Sequence, residues 1–305
     1  MSTARCKPIL IAGPTASGKS ALALALAERI GATVVNADAL QVYDAWRILT
    51  ARPSPDEEGR TPHALYGHVP PETAYSVGAW LRELKPLVDA GTPLIIVGGT
   101  GLYLSALTRG LAPVPHTPPE IRAEGDRLRE DRGLDAFRDY LRRHDPALHA
   151  RLDLNNGMRL QRAWEVHRAT GTPLSEWQKK TPEPMISKRN AVKLKLESDA
   201  GWLADRIEAR FEAMIGGGAL NEVAAAQDWW DEGLPASRAL GAPELMAHLH
   251  GKLTLQEAVD RGVVATRQYA KRQRTWFRSN MHDWTPVEAR SAADPDTADC
   301  IISML

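Results

Sequence analysis

With 305 residues and Lys plus Arg equal to Asp plus Glu at 38 each, the chain can bury one large core or two ordinary ones, and its net charge singles out no nucleic acid, membrane or acidic partner. Cys6 and Cys300 are the only cysteines, which excludes a disulfide framework; no Cys/His group has zinc spacing, and a reducing cytoplasm is expected. No apolar run reaches membrane-spanning length, and Arg5 and Lys7 stand before a short apolar run that leads into a glycine-rich loop, with no room for a signal h-region.

That apolar run, Pro8 to Ala12, reads as a buried strand, and it opens onto Gly13-Pro14-Thr15-Ala16-Ser17-Gly18-Lys19-Ser20. The pattern G-x-x-x-x-G-K-[ST] is met at every fixed position. Its glycines let successive N–H groups turn inward, Lys19 adds a mobile charge for phosphoryl oxygens, and the Ser20 hydroxyl can reach a magnesium ion. Ala21 to Ile30 is rich in strong helix formers, so strand, loop and helix N-terminus together make an anion site.

Ala32 to Asn36 reads as a second strand, with Asp38 just past its carboxyl end. In an open parallel sheet ligands bind at that edge, so Asp38 is either a general base or simply a turn or helix-cap aspartate. Pro53 to Pro71 has the proline and charge content of an irregular connection. Ser76 to about Ala90 reads as an amphipathic helix, and Pro93 to Val97 as a strand entering the turn Gly98-Gly99-Thr100-Gly101. Thr100 would then face the same crevice as Asp38. No acid ends this strand, which argues against a simple ATPase.

Prolines at 113, 115, 118 and 119 mark a change to helical, charged sequence. Residues 141–190 carry ten Lys/Arg against five Asp/Glu, either a solvated surface or a phosphate-binding one; Arg159 and Arg162, three apart on a helix, share a face. Alternation returns at Val192 to Leu196 as a strand that rejoins the first sheet. The whole is thus an α/β protein with a P-loop NTPase-like parallel sheet flanked by helices over 1–112 and 191–305, and a helical insertion over 113–190. Helices follow at Ala200 to Ile215 and Thr254 to Phe277. In the second, Arg267, Lys271, Arg274 and Arg278 recur along one face, a cationic stripe suited to phosphates. The tail after Val287 reads as peripheral.

Taken together these blocks resemble the tRNA dimethylallyltransferases, which prenylate tRNA. The resemblance rests on residues 13–20, on Asn36-Ala37-Asp38-Ala39-Leu40-Gln41-Val42-Tyr43, on Thr50-Ala51-Arg52-Pro53 and on Ala74-Tyr75-Ser76. It continues through residues 97–103 and 162–166 and closes with 265–278. It implies that the phosphate loop holds the diphosphate of dimethylallyl diphosphate with Mg2+, that Asp38 and Thr100 are the catalytic residues with Asp38 as general base, and that Arg238 touches diphosphate. It further implies that Asp38, Ala39, Leu40, Gln41, Thr100, Arg122, Met158, Arg159, Leu160, Gln161 and Arg162 contact the anticodon stem-loop of tRNA. The product would be a dimethylallyl group on N6 of the adenine 3′ of the anticodon, made by a monomer in the cytoplasm.

Three departures stand out: Ala39 where the family usually has serine, Met158 where glutamine is common, and Gly241-Ala242-Pro243 in place of Gly-Tyr-Arg. Two other classes share some of these features. A small-molecule or nucleoside kinase shares the phosphate loop, and an RNA-binding module with a decayed nucleotide site would keep the basic helices.

Overall fold

The computed structural model describes residues 7–187 and 189–305; Arg5, Cys6 and Lys188 fall outside the described residues. The chain divides into two compact units, one of residues 7–108 with 186–305, the other Arg109–Met185.

In the larger unit the chain opens with β1 (Ile9–Ala12), α1 (Lys19–Ile30) and β2 (Thr33–Asn36), then α2 (Pro55–Arg60), β3 (His63–Ala64), α3 (Val77–Asp89), β4 (Leu94–Gly98) and α4 (Gly101–Arg109). The smaller unit holds α5 (Pro119–His144), interrupted at Gly133, then α6 (Pro146–His149), α7 (Gly157–Thr170) and α8 (Leu174–Lys179). The larger unit resumes with β5 (Val192–Glu197), α9 (Ala200–Gly216), α10 (Ala219–Ala224), α11 (Ala242–Leu249), α12 (Leu255–Asn280), β6 (Thr285–Glu288) and α13 (Pro295–Ile302).

The six strands form one sheet in the order β3-β2-β4-β1-β5-β6 with every pairing parallel. Central strands are continuous apolar runs because helices cover both faces: all four residues of β1 and all five of β4 are buried. Since the strands share one direction, the phosphate loop, Asp38, the Gly99 turn and Ser198 all follow strands at the same carboxyl edge.

Two expectations change. The 53–71 connection contains α2, capped by Ser54 and Glu57 in a reciprocal capping box, and β3, which pairs with β2. Ser54-Pro55-Asp56-Glu57 carries that start signal, with proline at the first helical position. The tail after Val287 is also not peripheral: β6 pairs with β5, and Ala289, Ala292, Ala298 and Ile301 are buried in the core cluster of β1, β4, β5 and α1.

The smaller unit packs around Phe137, Leu141, Leu148, Leu160 and Trp164, with α5 against α7.

Candidate active site

The loop between β1 and α1 is shaped by its backbone. Gly18 has φ 89°, a left-handed conformation that glycine adopts without strain, and α1 starts at the next residue. Lys19 is buried, with Nζ 3.5 Å from the Pro14 carbonyl. Burial pulls its ammonium down to about 8, against the upward pull of Asp38 and with a further downward push from Arg210. Ser20 is exposed and faces the same recess as Lys19.

Asp38 is held from several directions. Trp80 donates its indole N–H to the Asn36 carbonyl at 2.7 Å. The Asn36 amide in turn donates to the Asp38 and Leu65 carbonyls, while its oxygen accepts from the Asp38 N–H at 2.8 Å. Asp38 Oδ1 accepts from the Leu40 N–H at 3.0 Å. Oδ2 lies on the Gly99 side, 3.2 Å from where a β-carbon on Gly99 would stand. One carboxylate oxygen is thus engaged in an Asx turn, and the other lies toward the Gly99 turn. Thr100 fixes the same segment: its N–H donates to the Ala37 carbonyl, and its hydroxyl accepts from Ala39 N–H at 3.0 Å. Burial first, and the Asp38 carboxylate second, hold the Tyr66, Tyr103 and Tyr269 phenols well above their ordinary value, so they stay protonated as hydrogen-bond donors.

Two recesses meet here. One is walled by apolar Leu40, Leu49, Ile207, Phe211, Met214 and Leu240 and reaches Asp38, Gln41 and Tyr269. The other gathers Lys19, Ser20, Arg52, Arg206 and Arg210. Ala16 and Arg210 line both, so an apolar slot and a cationic one share a wall at the loop.

Several of these residues were invisible in the sequence reading. Arg206 donates to the Ala16 carbonyl at 2.9 Å, and Arg210, four residues on along α9, lies in the field of both Lys19 and Asp38. Their spacing of four on one helix was the available signal. Arg238, expected at the diphosphate, is exposed at the end of the 3-10 turn Ala236–Arg238 and lines neither recess, whereas Arg52, Arg206 and Arg210 line the cationic one. Gln273 is buried on α12, accepts from Thr15 N–H and donates to the Gly99 carbonyl, both at 2.9 Å. One amide thus joins the phosphate loop to the turn bearing Thr100.

The expected RNA contacts separate by exposure. Leu40 and Gln41 line the apolar recess, with the Gln41 amide donating to the Thr50 and Ala51 carbonyls. In the smaller unit Arg122, Met158 and Arg159 are exposed, and Arg162 is half-buried beside Thr117. Leu160 is 0 % exposed in that unit's core, and Gln161 is 4 % exposed and bonded to Asp126 and Glu165. Both side chains are buried within that unit, as helix geometry requires, because a contiguous run on a helix cannot all face outward. Arg267 pairs with Glu208 on α9 at 2.6 Å, whereas Lys271, Arg274 and Arg278 of the α12 stripe make no ion pair among the described residues.

No group of three or more His, Cys, Asp or Glu among the described residues is placed to hold a metal. Beside the loop the Ser20 hydroxyl faces Lys19, Arg52, Arg206 and Arg210, with Glu57 and His63 also in the lining, and a divalent ion there would take most of its oxygen ligands from an anionic substrate.

A parallel sheet with a phosphate loop after its central strand and a strand-end carboxylate beside an apolar slot defines a group-transfer protein of the P-loop-like fold. The model of the IPP transferase family matches residues 41–280, and that of isopentenyl transferase matches residues 7–64. A tRNA dimethylallyltransferase of Dinoroseobacter shibae is 56% identical over 286 residues, covering 94% of this chain and 96% of its own. Another, from Paracoccus denitrificans, is 56% identical, covering 91% and 93%. A tRNA isopentenylpyrophosphate transferase of Bacillus halodurans superposes with TM-score 0.67 at 30% identity, covering 98% of this chain and 94% of that one. A eukaryotic dimethylallyltransferase acting on tRNA gives TM-score 0.79 at 25% identity, covering 98% and 78%. The chain belongs to the IPP transferase family, the tRNA dimethylallyltransferases.

Proposed function

We propose that the protein transfers the dimethylallyl group of dimethylallyl diphosphate to N6 of the adenine 3′ of the anticodon in tRNA, position 37, and releases diphosphate. The observation that carries this reading is the shared wall between an apolar slot reaching Asp38 and a cationic recess around Lys19. An allylic diphosphate has the same two halves, five carbons and a polyanion. The names of the relatives, tRNA dimethylallyltransferase, support the same reaction.

In this reading the leaving diphosphate sits against the loop N–H groups, Lys19, Arg206 and Arg210, which stabilise the charge growing on the departing oxygen. Leu49, Ile207, Phe211 and Met214 enclose the allyl group and exclude water from its electron-poor carbon. The adenine, flipped out of its loop, presents N6 to Asp38. The new bond joins N6 to the allylic carbon as the carbon–oxygen bond to diphosphate breaks, and the N6 proton passes to Asp38. Thr100, Asn36 and Gln273 position this edge through their hydrogen bonds to Ala39, Asp38 and the Gly99 carbonyl. Ser20 and the diphosphate oxygens would hold Mg2+, which supplies charge neutralisation on the leaving group. The exposed cations Arg122, Arg159 and Lys271, with the half-buried Arg274, serve RNA phosphates, and the reading carries with it a monomer working in the cytoplasm.

Incubation with dimethylallyl diphosphate, Mg2+ and unmodified tRNA is expected to give N6-dimethylallyladenosine on nucleoside digestion. With Asp38→Asn the rate is expected to fall by about 100- to 10,000-fold. Absence of product with every tRNA that reads codons beginning with U overturns the proposal. ATP-dependent phosphate transfer with indifference to dimethylallyl diphosphate would point to a kinase instead.

A further inference from the structure

On the far side of the phosphate loop from Asp38 the same sheet edge carries a second cationic recess. Lys195, Glu197 and Ser198 at the end of β5 face Arg274, Phe277 and Arg278 of α12. Arg274 and Arg278 are one helical turn apart on one face, and neither makes an ion pair among the described residues. Lys195 is largely buried and pairs with the exposed Glu197 at 2.7 Å, so three cations meet a single carboxylate. The Ser198 hydroxyl is buried with no hydrogen-bond partner. A buried donor left unpaired is costly unless a ligand completes it, and the surrounding charge selects an anion.

The position of the recess narrows the ligand. β5 lies next to β1, and Leu196 Cβ is 3.1 Å from where a β-carbon on Gly13 would stand, so the recess begins beside the first residue of the loop. Arg274 follows Gln273, which bonds to Thr15 of that loop. Yet the recess shares no residue with the cationic recess around Lys19. Across the sheet edge, β2 and β5 are separated by β4 and β1, about 14 Å at ordinary strand spacing. An anion here is thus distinct from the leaving diphosphate and within reach of a strand whose base lies at Asp38.

We propose that this recess binds one phosphodiester of the RNA strand that bears the reactive adenine, gripped by Arg274 and Arg278 with Lys195 and Ser198 behind them. The assignment rests on the tRNA-prenylation reading and fixes where the backbone is held while the base is out of its stack. A phosphate grip positions the strand and carries no sequence information of its own.

The test uses the complete protein and an anticodon stem-loop RNA. Binding is measured against salt without dimethylallyl diphosphate, so the result does not depend on whether transfer occurs. For the double variant Arg274→Gln, Arg278→Gln the slope of log affinity against log salt is expected to fall in magnitude by about 1. Arg274→Lys with Arg278→Lys, which keeps the charge, is expected to retain most of the slope. Stem-loops with a single neutral methylphosphonate then locate the contact: one position is expected to weaken binding by wild type and to cost nothing further in the double Gln variant. An unchanged slope, or equal losses in wild type and variant at every position, overturns the proposal. So does selective protection of the wild type by millimolar inorganic phosphate without any methylphosphonate effect, which would mark a site for free phosphate. Failure of the prenylation reading would show separately, as absence of product from the wild type.

Discussion

Lys19 is where the loop's charge is least secure. An ordinary lysine is protonated at any working pH, but burial draws this one down to about 8, with Asp38 only partly restoring it. Below that value the side chain is a cation able to bind diphosphate; above it the side chain is neutral, and the recess keeps only its arginines. Because kcat/KM reports the free enzyme, its value for dimethylallyl diphosphate is expected to fall by roughly tenfold per unit once pH passes 8. A guanidinium stays charged through this range, so Lys19→Arg is expected to lower the rate at neutral pH and abolish the alkaline fall. A wild-type profile flat to pH 9.5, or the same limb in the arginine variant, would refute this account. The places of Lys19 and Asp38 were legible in the sequence because they follow from local order, a strand end and its loop. Arg210 and Gln273 were not: Gln273 reaches the loop across 258 residues, and nothing near it in the chain announces the partner.

Among the elements, the crossing of α9 and α12 decides the size of the apolar slot. Both helices were legible from their composition, but how closely they approach is a matter of packing. A β-carbon on Gly262 of α12 would stand 2.4 Å from the Phe211 ring of α9, and Phe211 lines the slot. Gly262→Ala must therefore push the ring aside, with the slot as the open space next to it. Overpacking of this kind costs about 1–3 kcal/mol, readable by denaturant unfolding. The functional expectation is a several-fold rise in KM for dimethylallyl diphosphate with little change in KM for tRNA. Phe211→Leu added to Gly262→Ala is expected to restore both stability and KM in part. Lost stability with an unchanged KM would mean that the ring moves away from the slot. The insertion shows the converse limit of sequence reading: block resemblance placed residues 158–162 at the RNA, while helix periodicity sends Leu160 inward and leaves Met158 and Arg159 outside.

For the molecule as a whole, the C-terminal segment completes a sheet that the N-terminal half begins. Apolar runs made β1, β2, β4 and β5 readable, whereas β6 is Thr-Pro-Val-Glu, a proline-bearing strand with little apolar content. Proline is tolerated there because β6 is the edge strand, where a missing N–H disturbs only one side of the ladder. Past it, Ala289, Ala292, Ala298 and Ile301 enter the core, and Arg29 of α1 pairs with Asp299 of α13. The segment also runs beneath the phosphate loop: a β-carbon on Gly18 would lie 3.7 Å from Ala292 Cβ. Removing residues 285–305 would uncover the β5 edge and the apolar side of α1 at once. Ile301→Ala alone is expected to cost about 2–5 kcal/mol, and a domain's whole margin is about 5–15 kcal/mol. The truncated chain is therefore expected to lose cooperative thermal unfolding. Ile301→Ala is expected to unfold cooperatively at a lower temperature, with a raised KM for dimethylallyl diphosphate because the loop has lost part of its support. If the truncated chain instead melts where the full chain does and turns over at the same rate, the tail is the peripheral segment its composition suggests, and the support for the loop must come from Gln273 and Arg206 alone.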